Sequence, residues 1–126
     1  EIIKAILAND INLKKIVKII HSEVRIEMNK FLKKNRNKRI IILDIPLLLE
    51  NKINKRGDIL IFVKSKKTDI LKRLKKRNNF DYKLFNKFRK IQLSLEYKMK
   101  GSKFTIKNNF TKKSVKRDIN YILGKI

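Results

Sequence analysis

Few residues in this chain have the type and spacing to do chemistry. Asp44 ends the apolar run Arg39-Ile-Ile-Ile-Leu-Asp44 and is followed at once by Ile45-Pro46. Proline fixes its own φ and drives the preceding residue into extended backbone, so the corner after Asp44 is stiff. A carboxylate buried there needs a cation or a metal to balance it. Arg73 and Arg77 are spaced i and i+4. On a helix that spacing sets two guanidinium groups on one face, able to close together over a polyphosphate. Lys72, Lys75 and Lys76 beside them offer the plainer alternative of a solvated basic face. His21 is the only histidine and there is no cysteine, which excludes thiolate metal sites, disulfides and cysteine nucleophiles. A lone imidazole makes no metal centre. Asn108 can present a donor and an acceptor to the edge of a base, or form a turn.

The elements that must position these residues follow from hydropathy period. The run at about 39–45 reads as a strand buried on both faces, as in a parallel sheet flanked by helices, where ligands sit beyond the carboxyl ends of strands. Asp58-Ile-Leu-Ile-Phe-Val63 reads as a second such strand, and Phe104-Thr-Ile-Lys107 as a short third. Residues of about 1–38 are expected to be helical. There Asp10 or Asn12 can cap a helix with Leu13, Ile16, Val17 and Ile20 inward, His21-Ser22 breaks it, and Ser22 caps the next, with Val24, Met28, Phe31 and Leu32 inward. Leu47 to Lys55 is helix-compatible. Thr68 can cap a basic helix, Ile70 to Arg77, and Asp81 another with Leu84, Phe85, Phe88 and Ile91 on one face, so that helices cover about 69–100. A last helix covers about 112–125. No repeat and no Pro- or Gly-rich linker divides the chain, which reads as one α/β unit over residues 1–126.

The formal net charge is +24, a balance that points to nucleic acid, an anionic membrane or another polyphosphate partner. The lysines are spread along the whole chain together with Asn and Ile, the pattern of AT-rich codon drift into exposed positions, and this favours a solvated surface over a dedicated nucleic-acid face. A small basic nucleic-acid-binding protein is the alternative reading. No apolar run approaches the ~20 residues that cross a bilayer, and the acidic start does not resemble a signal peptide, so a cytoplasmic protein without a membrane partner is expected. The first residue is Glu rather than Met, which suggests that the reading begins part-way through a longer chain.

Several blocks together resemble the dephospho-CoA kinases, a family with the P-loop nucleoside-monophosphate-kinase-like fold. They are Ile20-His21-Ser22-Glu23-Val24-Arg25, Asp44-Ile-Pro-Leu-Leu-Leu-Glu50, Asp58-Ile-Leu-Ile-Phe-Val63, Arg73-Leu-Lys-Lys-Arg77, Gln92, Lys98 and Ile106-Lys107-Asn108, in the family's order. The Asp-x-Pro-Leu-Leu-x-Glu block is the specific one. The chain departs from the pattern at Ser22 (usually Pro), Ile70 (usually Gln), Phe88 (usually Arg, here one position late as Arg89) and Lys107 (usually Asp).

The resemblance implies a three-layer fold, a parallel sheet between helices, and transfer of the γ-phosphoryl group of ATP, with Mg²⁺, to the ribose 3′-hydroxyl of dephospho-CoA. It implies Asp44 near the nucleotide and its metal, Arg77 and Arg73 as cations of a lid over the nucleotide, and Asn108 near adenine. It sets His21, Arg25, Glu50 and Lys98 on the acceptor side, and expects no specific nucleic acid; another P-loop small-molecule kinase, with the same fold and a different acceptor, is a further alternative. The Gly-x-x-x-x-Gly-Lys-Ser/Thr loop that cradles phosphates in such kinases is absent from this sequence, since Gly124-Lys125 lacks a preceding strand and glycine-rich turn. By resemblance that loop, the first strand and the catalytic base lie upstream of Glu1. The expectation is therefore a carboxyl-terminal portion, inactive alone and prone to aggregate through apolar strand edges.

Overall fold

The computed structural model describes residues 1–126. Its contacts gather in two compact units, Glu1–Asn54 with Tyr82–Gln92, and Lys55–Asp81 with Leu93–Ile126. The chain passes from one unit to the other after Asn54, Asp81 and Gln92. That interleaving is why no linker betrays a boundary in the sequence.

The first unit is helical. α1 (Ile2–Ala8) is followed by α2 (Asp10–Lys34), with Asn9 extended between them. Asn9, rather than Asp10 or Asn12, caps α2: its side-chain oxygen accepts from the Ile11 N–H at 2.8 Å. The break expected at His21-Ser22 does not occur, and α2 runs through as one helix of 25 residues. Its buried residues Leu13, His21 and Met28 are spaced 8 and 7 apart, close to whole turns, so His21 belongs to the inward stripe instead of interrupting it. The core of this unit is Ile6, Leu13, Met28 and Ile53, with His21 buried beside them. α3 (Tyr82–Lys90) packs on α1. The Lys87 Nζ donates to the Ile6 carbonyl at 2.9 Å and pairs with Asp10 at 2.9 Å. The hydrogen bond and the charge of Lys87 hold the Asp10 carboxyl below the usual aspartate range.

The strand expected at about 39–45 forms no ladder. Ile41, Leu43 and Ile45 are half-buried while Ile42 is 83% exposed, so the segment covers one face only. A strand exists through its partners' hydrogen bonds, and an apolar run by itself does not supply them. The following residues, expected to be helix, form turns with Leu47 and Lys52 at positive φ. Pro46 and these two left-handed residues are incompatible with a regular helix.

The second unit holds the sheet. β1 (Ile61–Lys64) and β2 (Phe104–Lys107) pair in parallel, Ile61 opposite Phe104 and Lys64 opposite Lys107. Lys103 and Asn108 extend the ladder through N–H bonds to the Leu60 and Lys64 carbonyls, at 2.9 and 2.8 Å. β1 is not buried on both faces, since Ile61 and Val63 are exposed. The turn before β1 needs a left-handed residue, supplied by Gly57 at φ 99°, and is fastened by the Asp58 carboxylate accepting from the Lys55 N–H at 2.8 Å. The unit also contains α4 (Lys67–Leu74), α5 (Leu95–Lys100) and α6 (Lys112–Leu123). α4 is capped at Lys66, two residues before the expected cap, and Thr68 lies inside its first turn. α6 buries Ile122 and is tied to β2 by Asp118, whose carboxylate accepts from the Lys107 N–H at 2.9 Å. That bond, helped by Arg117, holds the Asp118 carboxyl below the usual range.

Candidate functional site

The first unit carries a cavity of about 660 Å³ along one face of α2. Steps of four, three and four residues separate Lys14, Lys18, His21 and Arg25, so a continuous helix sets all four on that face. Facing them is the turn that follows Pro46. Its Ile53 is 4% exposed and anchors it in the core, and an Arg25 N–H donates to the Asn51 carbonyl. The Asn51 side chain donates in turn to the Leu47 carbonyl at 3.0 Å. Glu50 of this turn reaches the cavity, and Lys90, the last residue of α3, closes it.

Four cations and one carboxylate therefore line a hollow together with the polar His21, Ser22 and Asn51, and Val17, Leu47 and Ile91 give it an apolar part. A volume of this size lies within the range of small-molecule sites, roughly 300–1,000 Å³. The lining suits an organic anion, with charge held by flexible ammonium groups and one guanidinium and an uncharged part against the apolar wall. His21 is 7% exposed, and its Nδ1 is buried without a hydrogen-bond partner.

Three residues expected on the acceptor side, His21, Arg25 and Glu50, thus share one cavity. Lys14, Lys18 and Lys90 were not singled out from the sequence. The signal for the first two was available: with α2 unbroken, they lie one and two turns before His21. Breaking the helix at His21 hid that alignment. Lys98, the fourth acceptor-side expectation, lies on α5 in the second unit and is half-buried.

The nucleotide-side expectations fall partly in the second unit. A smaller cleft of about 240 Å³ is lined by Asp69, Lys72, Arg73 and Lys76 of the α4 region and by Asn109 and Phe110. The Arg73 guanidinium lies over the Phe110 ring, 4.5 Å from its centroid, a cation–π contact. Arg77 does not share a helical face with Arg73, because α4 ends at Leu74. The Arg77 N–H bonds the Leu74 carbonyl three residues back, at 3.0 Å, which tightens the chain into a turn and removes the i, i+4 alignment. Asn108 takes its turn-forming role: its side-chain oxygen accepts from the Phe110 N–H at 2.8 Å. Asn109 does the same for Thr111 at 3.1 Å. Asn109 and Phe110, absent from the sequence-based set, line the cleft in place of Asn108.

Asp44 is exposed, in contrast to the buried acid expected at the end of a packed strand. No cluster of three or more His, Cys, Asp or Glu residues able to hold a metal occurs in the chain. A single carboxylate holds Mg²⁺ only together with substrate phosphates in octahedral geometry. No helix is long and apolar enough to cross a membrane.

Comparison with known proteins gives these features a context. The family model described as dephospho-CoA kinase matches residues 1–114. The dephospho-CoA kinase of Wolbachia pipientis wMel is 33% identical over 125 residues, covering 98% of this chain and 64% of the relative. That of Bacillus anthracis is 36% identical over 112 residues, covering 86% and 55%, and that of Rickettsia bellii is 27% identical over 118 residues, covering 94% and 62%. This chain therefore spans less than two thirds of the length of these relatives. With a match across 114 residues and relatives above 30% identity over nearly its whole length, the chain belongs to the dephospho-CoA kinase family.

Proposed function

We propose that the protein carrying this chain phosphorylates the ribose 3′-hydroxyl of dephospho-CoA with ATP, yielding coenzyme A and ADP. The observation that carries the proposal is the convergence of His21, Arg25 and Glu50, from two separate segments, on one cation-lined cavity in a chain of this family. That cavity is the acceptor site in this reading. Its cations neutralise the acceptor's phosphates, and Val17, Leu47 and Ile91 take an uncharged part of the molecule.

The cleft beside Arg73 is the nucleotide side, with Lys72 and Lys76 contributing charge and Phe110 an aromatic face. Arg77 and Lys98 act as further cations toward the substrates' phosphates in this reading, and Asn108 acts through the turn that holds Phe110. Chemistry of this kind depends on positioning and charge neutralisation more than on covalent help. The new bond joins the 3′-oxygen to the γ-phosphorus, the bond from that phosphorus to the bridging β–γ oxygen breaks, and the 3′-hydroxyl proton is lost to a base.

The phosphate-cradling loop, that base and the remaining strands of a three-layer, P-loop kinase-like sheet are assigned to sequence outside these residues. Asp44 is the acid near the nucleotide phosphates in this reading, and Mg²⁺ enters with ATP. This reading requires no specific nucleic acid and no membrane as a partner. The test is an assay of the intact protein with ATP and dephospho-CoA. Coenzyme A bearing the new phosphate on the 3′-oxygen is the expected product. ATP turnover with another alcohol and none with dephospho-CoA would overturn the proposal.

A further inference from the structure

The acceptor cavity contains one group whose chemistry is not that of a simple cation. His21 lies on the cavity face of α2 between Lys18 and Arg25, at 7% exposure. Of its two ring nitrogens, only Nδ1 is both buried and without a partner. The histidine makes no hydrogen bond within the chain, so Nε2 is the nitrogen that keeps accessible surface.

The two nitrogens then differ in what a proton on them would cost. A proton on Nδ1 would be a buried N–H with nothing to accept it, and orphaned buried N–H groups are rarer in native proteins than under-satisfied acceptors. A proton on Nε2 faces the cavity, where an anion can accept it. The groups facing the ring are Lys14, Lys18 and Arg25 from its own helix, Glu50 from the turn after Pro46, and Lys90 from α3.

We infer that His21 is a hydrogen-bond donor of the acceptor site, carrying a proton on Nε2 and offering it to a phosphate oxygen of the bound organic phosphate. Its place fixes where along α2 the phosphate sits: the lysines are flexible and fix no register, whereas the buried ring has one position. This rests on the reading of the cavity as the acceptor site.

The experiment is nitrogen-15 spectroscopy of the imidazole in the intact protein, titrated with inorganic pyrophosphate and separately with dephospho-CoA, with the signal assigned by its absence from His21→Gln. The expected result is a proton on Nε2 before and after addition, and a shift of Nε2 with both ligands. In binding titrations His21→Gln, whose amide nitrogen reaches the place of Nε2, should keep pyrophosphate affinity within about threefold, and His21→Leu should lose about tenfold or more. Because the spectrum is read on the unsubstituted protein, the inference stays exposed to refutation even if a variant fails to fold.

A proton on Nδ1 in place of Nε2, or equal binding by the Gln and Leu variants, would overturn it. Phosphorylation of dephospho-CoA with no movement of Nε2 would overturn the inference and leave the kinase reading standing. A pyrophosphate shift at Nε2, with no binding or turnover of dephospho-CoA, would support the donor role and remove the acceptor assignment.

Discussion

Replacing Leu13 by alanine probes the frame of the proposed acceptor site without touching its lining. Leu13 is 1% exposed, the largest fully buried side chain in the chain, and it lies on α2 beside Lys14. Removing most of a buried leucine side chain forfeits its transfer free energy and leaves a cavity, together about 2–5 kcal/mol. The buried apolar set of this unit is only Ile6, Leu13, Met28 and Ile53, and their neighbours are half-buried and able to relax inward. A value near the middle, about 3 kcal/mol, is therefore expected. Against a typical domain stability of about 5–15 kcal/mol that is a large fraction. Ile19→Ala is the matched control on the same helix, since Ile19 is 65% exposed, and it should cost less than about 1 kcal/mol. The assay is urea unfolding of the intact protein followed by helical circular dichroism, with midpoints compared at equal slope. A Leu13→Ala cost below about 1 kcal/mol, or one equal to that of Ile19→Ala, would refute the assignment of Leu13 to the centre of this core.

Two further expectations concern the second unit. The Asp118 carboxyl is held below its ordinary range chiefly by the Lys107 N–H, so its contribution to stability is full above the unfolded-state value near 3.9 and is lost as pH falls through the lower folded-state value. Asp118→Asn should flatten the acid side of the stability–pH curve while leaving its shape near neutrality alone, a difference measured by thermal unfolding at pH steps between about 2 and 6. Phe110→Ala removes the aromatic face under Arg73 and should cost no more than about 1 kcal/mol in stability, because the contact is exposed. In the kinase assay it should raise the KM for ATP and leave that for the acceptor unchanged; the reverse pattern would contradict the assignment of that cleft.

Much of this was legible in the residues, and the misses share one cause. β2 lies at Phe104–Lys107 as its alternation foretold, and α6 follows from the period of Val115, Ile119 and Ile122. His21 misled because a histidine followed by serine reads as polar punctuation, while in the structure the ring lies on the inward stripe of α2. Arg73 and Arg77 were paired on a helix that ends at Leu74, a matter of helix termination that no cap residue announced. The run before Asp44 has the composition of a buried strand, yet its state depends on hydrogen-bond partners that its own sequence does not name. In each case short-range pattern was sound where local spacing decides structure and failed where distant contacts or the exact end of a helix decide it. Family resemblance reached His21, Arg25 and Glu50, but their common cavity and the lysines around it appear only once α2 is seen to be continuous.

Occupation of the cavity along α2 by the acceptor is tested by the KM of the intact protein for each substrate. Arg25 both lines the cavity and fastens the facing turn through the Asn51 carbonyl, so Arg25→Ala removes a phosphate contact and loosens Glu50 together. A rise of about tenfold or more in the KM for dephospho-CoA is expected with the KM for ATP unchanged, partly recovered in Arg25→Lys, which restores charge without the planar guanidinium. An unchanged acceptor KM, or a rise confined to ATP, would contradict it.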